Sequence, residues 1–98
     1  MAIGAEIYVV VEIQEVFDPD ALAEYQAQAR QQLLERGGVL VARGKCTFEG
    51  SPPVGQTLVQ RWPSEAAFRE WQESDDYRPL LERRKSCVRL RIAILGAV

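Results

Sequence analysis

Residues 49–55 read EGSPPVG, and what this stretch does to the chain decides the fold. Glycine, proline and serine supply turn conformations, and a connection this short cannot carry the chain back across a sheet as a crossover. The segments on either side, 39–48 and 56–62, both read as strands, so they must lie side by side as a hairpin. Working outward, 37–38 is Gly-Gly, which ends a helix because glycine accepts the left-handed C-cap conformation. That helix opens at Asp18-Pro19-Asp20, where Asp18 is a good N-cap and Pro19 fits the first helical position. It carries Leu22, Tyr25, Ala29 and Leu33 on one stripe. Before it, Ile7, Val9, Val11 and Ile13 alternate with Tyr8, Val10 and Glu12, the two-residue period of a strand with one dry face.

The other side of the hairpin mirrors this order. Ser64 caps a helix in which Ala67, Phe68 and Trp71 can face inward. Ser74-Asp75-Asp76 breaks that helix and recaps a short one containing Leu80 and Leu81. From Cys87 to Leu95 strict alternation returns, Val88, Leu90, Ile92 and Ile94 against Arg89, Arg91 and Ala93. Strand, helix, strand, strand, helix, strand with right-handed crossovers predicts an α+β, ferredoxin-like βαββαβ fold. Its four-stranded antiparallel sheet has both helices on one face.

Ninety-eight residues suit one domain, 1–98, with no linker or repeat inside it. The net charge of −2 gives no reason to expect a nucleic-acid partner, although six of the twelve basic residues fall between Arg78 and Arg91. No run approaches the roughly 18 apolar residues of a membrane span. The first residues lack a basic region and carry Glu6 and Glu12, which argues against a signal peptide. Two cysteines make no disulfide framework, and a cytoplasmic location is expected. Histidine is absent, which removes Ser-His and Cys-His nucleophile pairs, histidine-ligated haem and the common histidine-containing zinc sites. No cofactor and no metal are expected. Acid–base chemistry would run on carboxylates, tyrosine, lysine, cysteine or the substrate.

With the aliphatic rows under the helices, the other rows form an open face. It holds Tyr8, Val10 and Glu12 from the first strand, Arg89, Arg91 and Ala93 from the last, and Val41, Arg43 and Lys45 from the second. In the third strand either Val59 and Arg61 or Leu58, Gln60 and Trp62 belong there. Such a face is too apolar to be left bare, so a homodimer is expected, enclosing a cavity with apolar walls and a few polar groups.

The run Tyr8-Val9-Val10, Asp18-Pro19 with Tyr25, Gly37-Gly38 followed by Leu40-Val41-Ala42-Arg43-Gly44, and Phe48-Glu49-Gly50 resembles the domain-of-unknown-function family 1330. So do Trp62-Pro63-Ser64-Glu65-Ala66-Ala67, Trp71, Ser74-Asp75-Asp76-Tyr77 and Arg84. The resemblance covers nearly the whole chain and implies a dimeric α+β barrel of ferredoxin-like protomers. It implies no reaction. Lys45 stands where the family has a second glycine, Arg61 where it has an acidic residue, and the final strand is more basic.

Candidate site residues are Arg43, Tyr8, Glu12, Tyr77, Glu49 and Arg84. Arg43, placed on the open face beside Glu12 and suited to a carboxylate, is the first choice for ligand contact; its plain alternative is an ion pair. Tyr77 either turns its hydroxyl into the cleft or packs over the helix junction. Glu49 is a general base or a partner of the loop backbone. Ser64 reads as a cap, Trp71 as core, and both cysteines as inert thiols. The expected function is binding of a small organic molecule, anionic if the arginines contact it, in the cleft between sheet and helices. The alternatives are a cofactor-independent enzyme of cyclase, isomerase or monooxygenase type on an aromatic or polyketide-like substrate, and an accessory or assembly protein.

Overall fold

The computed structural model describes residues 6–45 and 55–98. Four strands, β1 (Ile7–Val16), β2 (Val39–Gly44), β3 (Thr57–Trp62) and β4 (Val88–Gly96), form one antiparallel sheet in the order β2-β3-β1-β4. Three helices connect them: α1 (Pro19–Glu35), then α2 (Glu65–Glu73) and α3 (Arg78–Cys87) in succession. This is the expected ferredoxin-like βαββαβ topology, with the second crossover split into two helices. The expected continuation of β2 to Phe48 lies outside the described residues.

The helix ends follow from local chemistry. Asp18 accepts a hydrogen bond from the Ala21 amide at 3.1 Å, and Ser64 Oγ accepts one from the Ala67 amide at 3.1 Å. Ser64 is therefore a cap. At the end of α1, Gly37 takes a φ of +91°, and the Gly38 amide returns to the Leu33 carbonyl at 2.9 Å. Gly38 is needed for a second reason. A Cβ there would stand 2.7 Å from Leu33 Cγ and 2.9 Å from the Trp62 ring, so only glycine lets α1 turn into β2 this close to the core.

Strand register decides which side chains face the helices. Ile7, Val9 and Ile13 of β1 are buried beneath them, as alternation predicts. Pairing carries this row across the sheet: Val9 opposes Gln60 and Ile94, and Val11 opposes Leu58 and Ile92. The ambiguity in β3 is thereby resolved, with Leu58, Gln60 and Trp62 on the helix side and Val59 and Arg61 on the open face.

In β2 the structure corrects the sequence reading. The register shifts between Leu40 and Ala42, so one extra residue enters the strand. Leu40 opposes Gln60, but Ala42 opposes Val59 and Arg43 opposes Leu58. A bulge breaks the two-residue period and sends every later side chain to the other face. Arg43 therefore lies on the helix side of the sheet, and Ala42 on the open side, the reverse of the expected placement.

The core falls into two clusters. The larger joins Ile7, Val9, Ala29, Leu33, Trp62, Phe68, Trp71, Tyr77 and Leu80; the smaller joins Ile13, Leu22, Cys87 and Val88. Aromatic contacts organise the larger one. Trp62 stacks on Trp71 at 5.3 Å between centroids, and Phe68 meets the Trp62 ring edge-on at 5.5 Å.

Candidate functional site

Between the two clusters, sheet and helices leave a cavity of about 100 Å³. Its floor is the helix-side row of the sheet: Val9, Val11, Ile13, Leu40, Leu58, Leu90 and Ile92. Its roof comes from α1 through Leu22, Tyr25, Ala29 and Leu33, and from α2 through Phe68 and Trp71. The space explains why Val11, Leu58, Leu90 and Ile92 are only partly buried although they sit on the dry row.

Polar groups enter at defined points. Tyr77 immediately precedes α3 and is fully buried, with its ring 4.6 Å from that of Trp71. Its hydroxyl lies 2.5 Å from that of Tyr25 on α1. Arg84, two turns along α3, donates from Nη1 to the Tyr77 hydroxyl at 3.0 Å and to Gln72 Oε1 at 3.5 Å. Tyr25, Tyr77, Gln72 and Arg84 all line the cavity. Burial, reinforced by the neighbouring Tyr77, pushes the Tyr25 phenol well above its ordinary range, and Arg84 only partly opposes this. Tyr25 is therefore a neutral donor or acceptor at every physiological pH.

Charge at the site is one-sided. Arg30, Arg43 and Arg84 line the cavity, and no carboxylate is among its lining residues. Among the described residues none of these three arginines forms an ion pair, whereas Arg36, Arg61, Arg69, Arg78, Arg83, Arg89 and Arg91 each hold an acidic partner. Although the chain's net charge is −2, the arginines without an acidic partner among the described residues gather at the cleft.

The expected site residues separate accordingly. Tyr77 and Arg84 are in contact, and Arg43 reaches the same cavity from the sheet edge. Tyr77 packs its ring against Trp71 at the helix junction and is also among the residues that line the cavity, with its hydroxyl held by Tyr25 and Arg84. Tyr8 and Glu12 lie on the opposite face of the sheet. Tyr8 opposes Arg61 and Leu95, and Glu12 accepts from Arg91 Nη2 at 2.6 Å. Arg43 and Glu12 are thus on different faces. Glu49 and Cys46 lie outside the described residues. Cys87 is buried in the cluster with Ile13, Leu22 and Val88, and burial, with the Asp18 charge adding to it, pushes its thiol up.

Tyr25 is the residue the sequence reading passed over. It stands on an otherwise aliphatic stripe of α1, and a phenol among leucines and alanines needs a partner for its hydroxyl. That was the available signal. Gln72 and Arg30 gave none, since isolated polar residues on helices are ordinarily solvated.

The fold and this cleft can be set beside known proteins. The model of a family described as a domain of unknown function, DUF1330, matches residues 6–98. The chain belongs to that family. Among solved structures, RPA0582, a protein of unknown function from Rhodopseudomonas palustris, is 21% identical with a TM-score of 0.79, over 97% of this chain and 84% of that one. SnoaB, a cofactor-independent oxygenase from Streptomyces nogalater, is 13% identical with a TM-score of 0.68, over 96% and 94% of the two chains. A dimeric ferredoxin-like protein of unknown function from Thermobifida fusca is 14% identical with a TM-score of 0.58, over 96% and 92%. These likenesses are of fold. No curated protein matches the chain. No helix among the described residues is long and apolar enough to cross a membrane.

Proposed function

We propose that this DUF1330 protein binds a small organic anion in the cleft between sheet and helices, and does so as a homodimer. The observation that carries the reading is the pairing of an apolar cavity with three lining arginines and no lining carboxylate. Unmatched guanidinium groups beside a low-dielectric wall hold a positive potential that favours a carboxylate or phenolate. The volume of about 100 Å³ limits the bound part in this conformation to roughly one ring. An engineered apolar cavity of about 150 Å³ holds benzene. Tyr25 and Gln72 supply the polar contacts that would orient it.

The dimer is supported by the open face. Tyr8, Val10, Ala42, Val59 and Ala93 form an apolar centre, bordered by the Glu6–Arg61, Glu12–Arg91 and Glu15–Arg89 pairs. Leu95 is 55% exposed on the same face. An apolar patch rimmed by ion pairs is the composition of a protein interface. Light scattering should give twice the chain mass of 11.0 kDa.

A second reading rests on the connected hydroxyls. A cofactor-independent enzyme acting on an aromatic or polyketide-like substrate would use Tyr25, Tyr77 and Arg84 to hold a reacting oxygen, and the reading is supported by the similar fold of SnoaB, a cofactor-independent oxygenase. Calorimetric titration of the dimer with benzoate, phenylacetate and benzylammonium tests the binding reading. The acids should bind and the ammonium should not. Equal binding of the cation, or no binding of either acid, would overturn it. Turnover of a bound aromatic substrate without added cofactor would promote the second reading over simple binding.

A further inference from the structure

We propose that Tyr25 grips the bound molecule by donating its hydroxyl proton to a carbonyl, enolate or phenolate oxygen carried on a single ring. This deepens the small-molecule reading of the cleft and rests on it. The direction of the hydrogen bonds carries the inference. Arginine has donors only, so in the 3.0 Å contact Arg84 Nη1 donates and the Tyr77 oxygen accepts. The Tyr77 side chain is fully buried, and its own proton must find an acceptor or cost the desolvation of an unmade bond. Among the described residues the one oxygen in reach is the Tyr25 hydroxyl at 2.5 Å. Tyr77 therefore donates to Tyr25.

That assignment leaves the Tyr25 proton unspent. Its oxygen already accepts, no second protein partner is found among the described residues, and its side chain lines the cavity. Each donor in the row Arg84, Tyr77, Tyr25 polarises the next, so the last hydroxyl is a stronger donor than an isolated phenol. Burial, the largest influence on Tyr25, keeps its phenol in the neutral, proton-bearing form. Tyr77 acts through Tyr25 and is a positioning residue, while Arg84 both orients this row and presents its charge to the cavity. The ligand class follows: an acceptor oxygen for Tyr25, a ring for the aliphatic floor, and no cationic group.

The test uses 4-nitrophenol, whose phenolate is visible by absorbance, and toluene, which offers the ring without an acceptor oxygen. Wild type should bind both, and binding should lower the apparent pKa of the nitrophenol. Tyr25→Phe should weaken nitrophenolate binding about tenfold or more while leaving toluene binding within about twofold. It should also return the pKa of the bound dye towards its free value. Tyr77→Phe should do so only in part, an effect that a purely structural tyrosine would not produce. Thermal melting checks that each variant is folded. If Tyr25→Phe binds nitrophenolate as wild type does, the donor assignment is wrong while the cleft remains a binding site. If wild type binds neither probe, the cleft reading fails and the assignment falls with it.

Discussion

Trp62→Ala should lower the melting temperature by about 15–30 °C at fixed protein concentration, the largest stability effect expected of a single substitution here. Trp62 has no exposed surface, stacks on Trp71, meets Phe68 edge-on and donates its indole proton to Gln60 Oε1 at 2.9 Å. It also forms the wall against which Gly38 turns. Truncating such a residue removes the transfer energy of the ring and leaves a void that rigid neighbours cannot fill, at a cost of about 3–5 kcal/mol. A domain of this size has only about 5–15 kcal/mol to lose. Concentration must be held constant because the proposed dimer would couple association to unfolding. Trp62→Phe should be milder, since it retains a ring against Trp71. A fall of less than about 5 °C on truncation would show that this cluster does not hold the two layers together.

Arg84→Met should weaken benzoate binding by roughly ten- to more than a hundredfold, the largest functional effect expected. Methionine keeps much of the aliphatic stem and removes the charge. The loss has two sources. One is the guanidinium that faces the cavity among the described residues without an acidic partner. The other is the donor that sets the direction of the Tyr77 and Tyr25 hydroxyls. Toluene should bind the variant nearly as well as wild type, because neither source concerns an apolar ring. Arg43→Met gives the contrast. Arg43 is exposed although it lines the cavity, so water screens its charge and its loss should cost less. Equal losses for the two variants would mean that the mouth, and not the buried end, holds the anion.

What could be read from the chain, and what could not, follows from how each feature is encoded. Helix caps at Asp18 and Ser64, the Gly37-Gly38 stop and the alternation of β1 and β4 are local signals, and each element formed where they place it. The antiparallel pairing of β2 with β3 could be read because connection length alone limits the topology. Arg43 was misplaced because a bulge is not a local signal. The extra residue in β2 is set by how the strand pairs with β3, and nothing in Val39–Gly44 announces it. The buried end of the site was legible in pieces. Tyr77 and Arg84 lie seven residues apart, and α3 brings them into contact. Tyr25 lies fifty-two residues from Tyr77, and only the packing of α1 against α3 joins their hydroxyls.

The location of the bound anion can be measured directly from the two tryptophan indole signals of the nitrogen-labelled protein during a benzoate titration. Trp71 lines the cavity and donates to Gln32 Oε1 at 3.1 Å; Trp62, stacked beneath it, does not line the cavity. The Trp71 indole resonance should move progressively and saturate, with a smaller displacement at Trp62 and none in the amides of Tyr8, Val10 and Val59 on the open face. A titration that moves those open-face amides and leaves Trp71 still, or moves nothing, would contradict an anion site between the sheet and the helices.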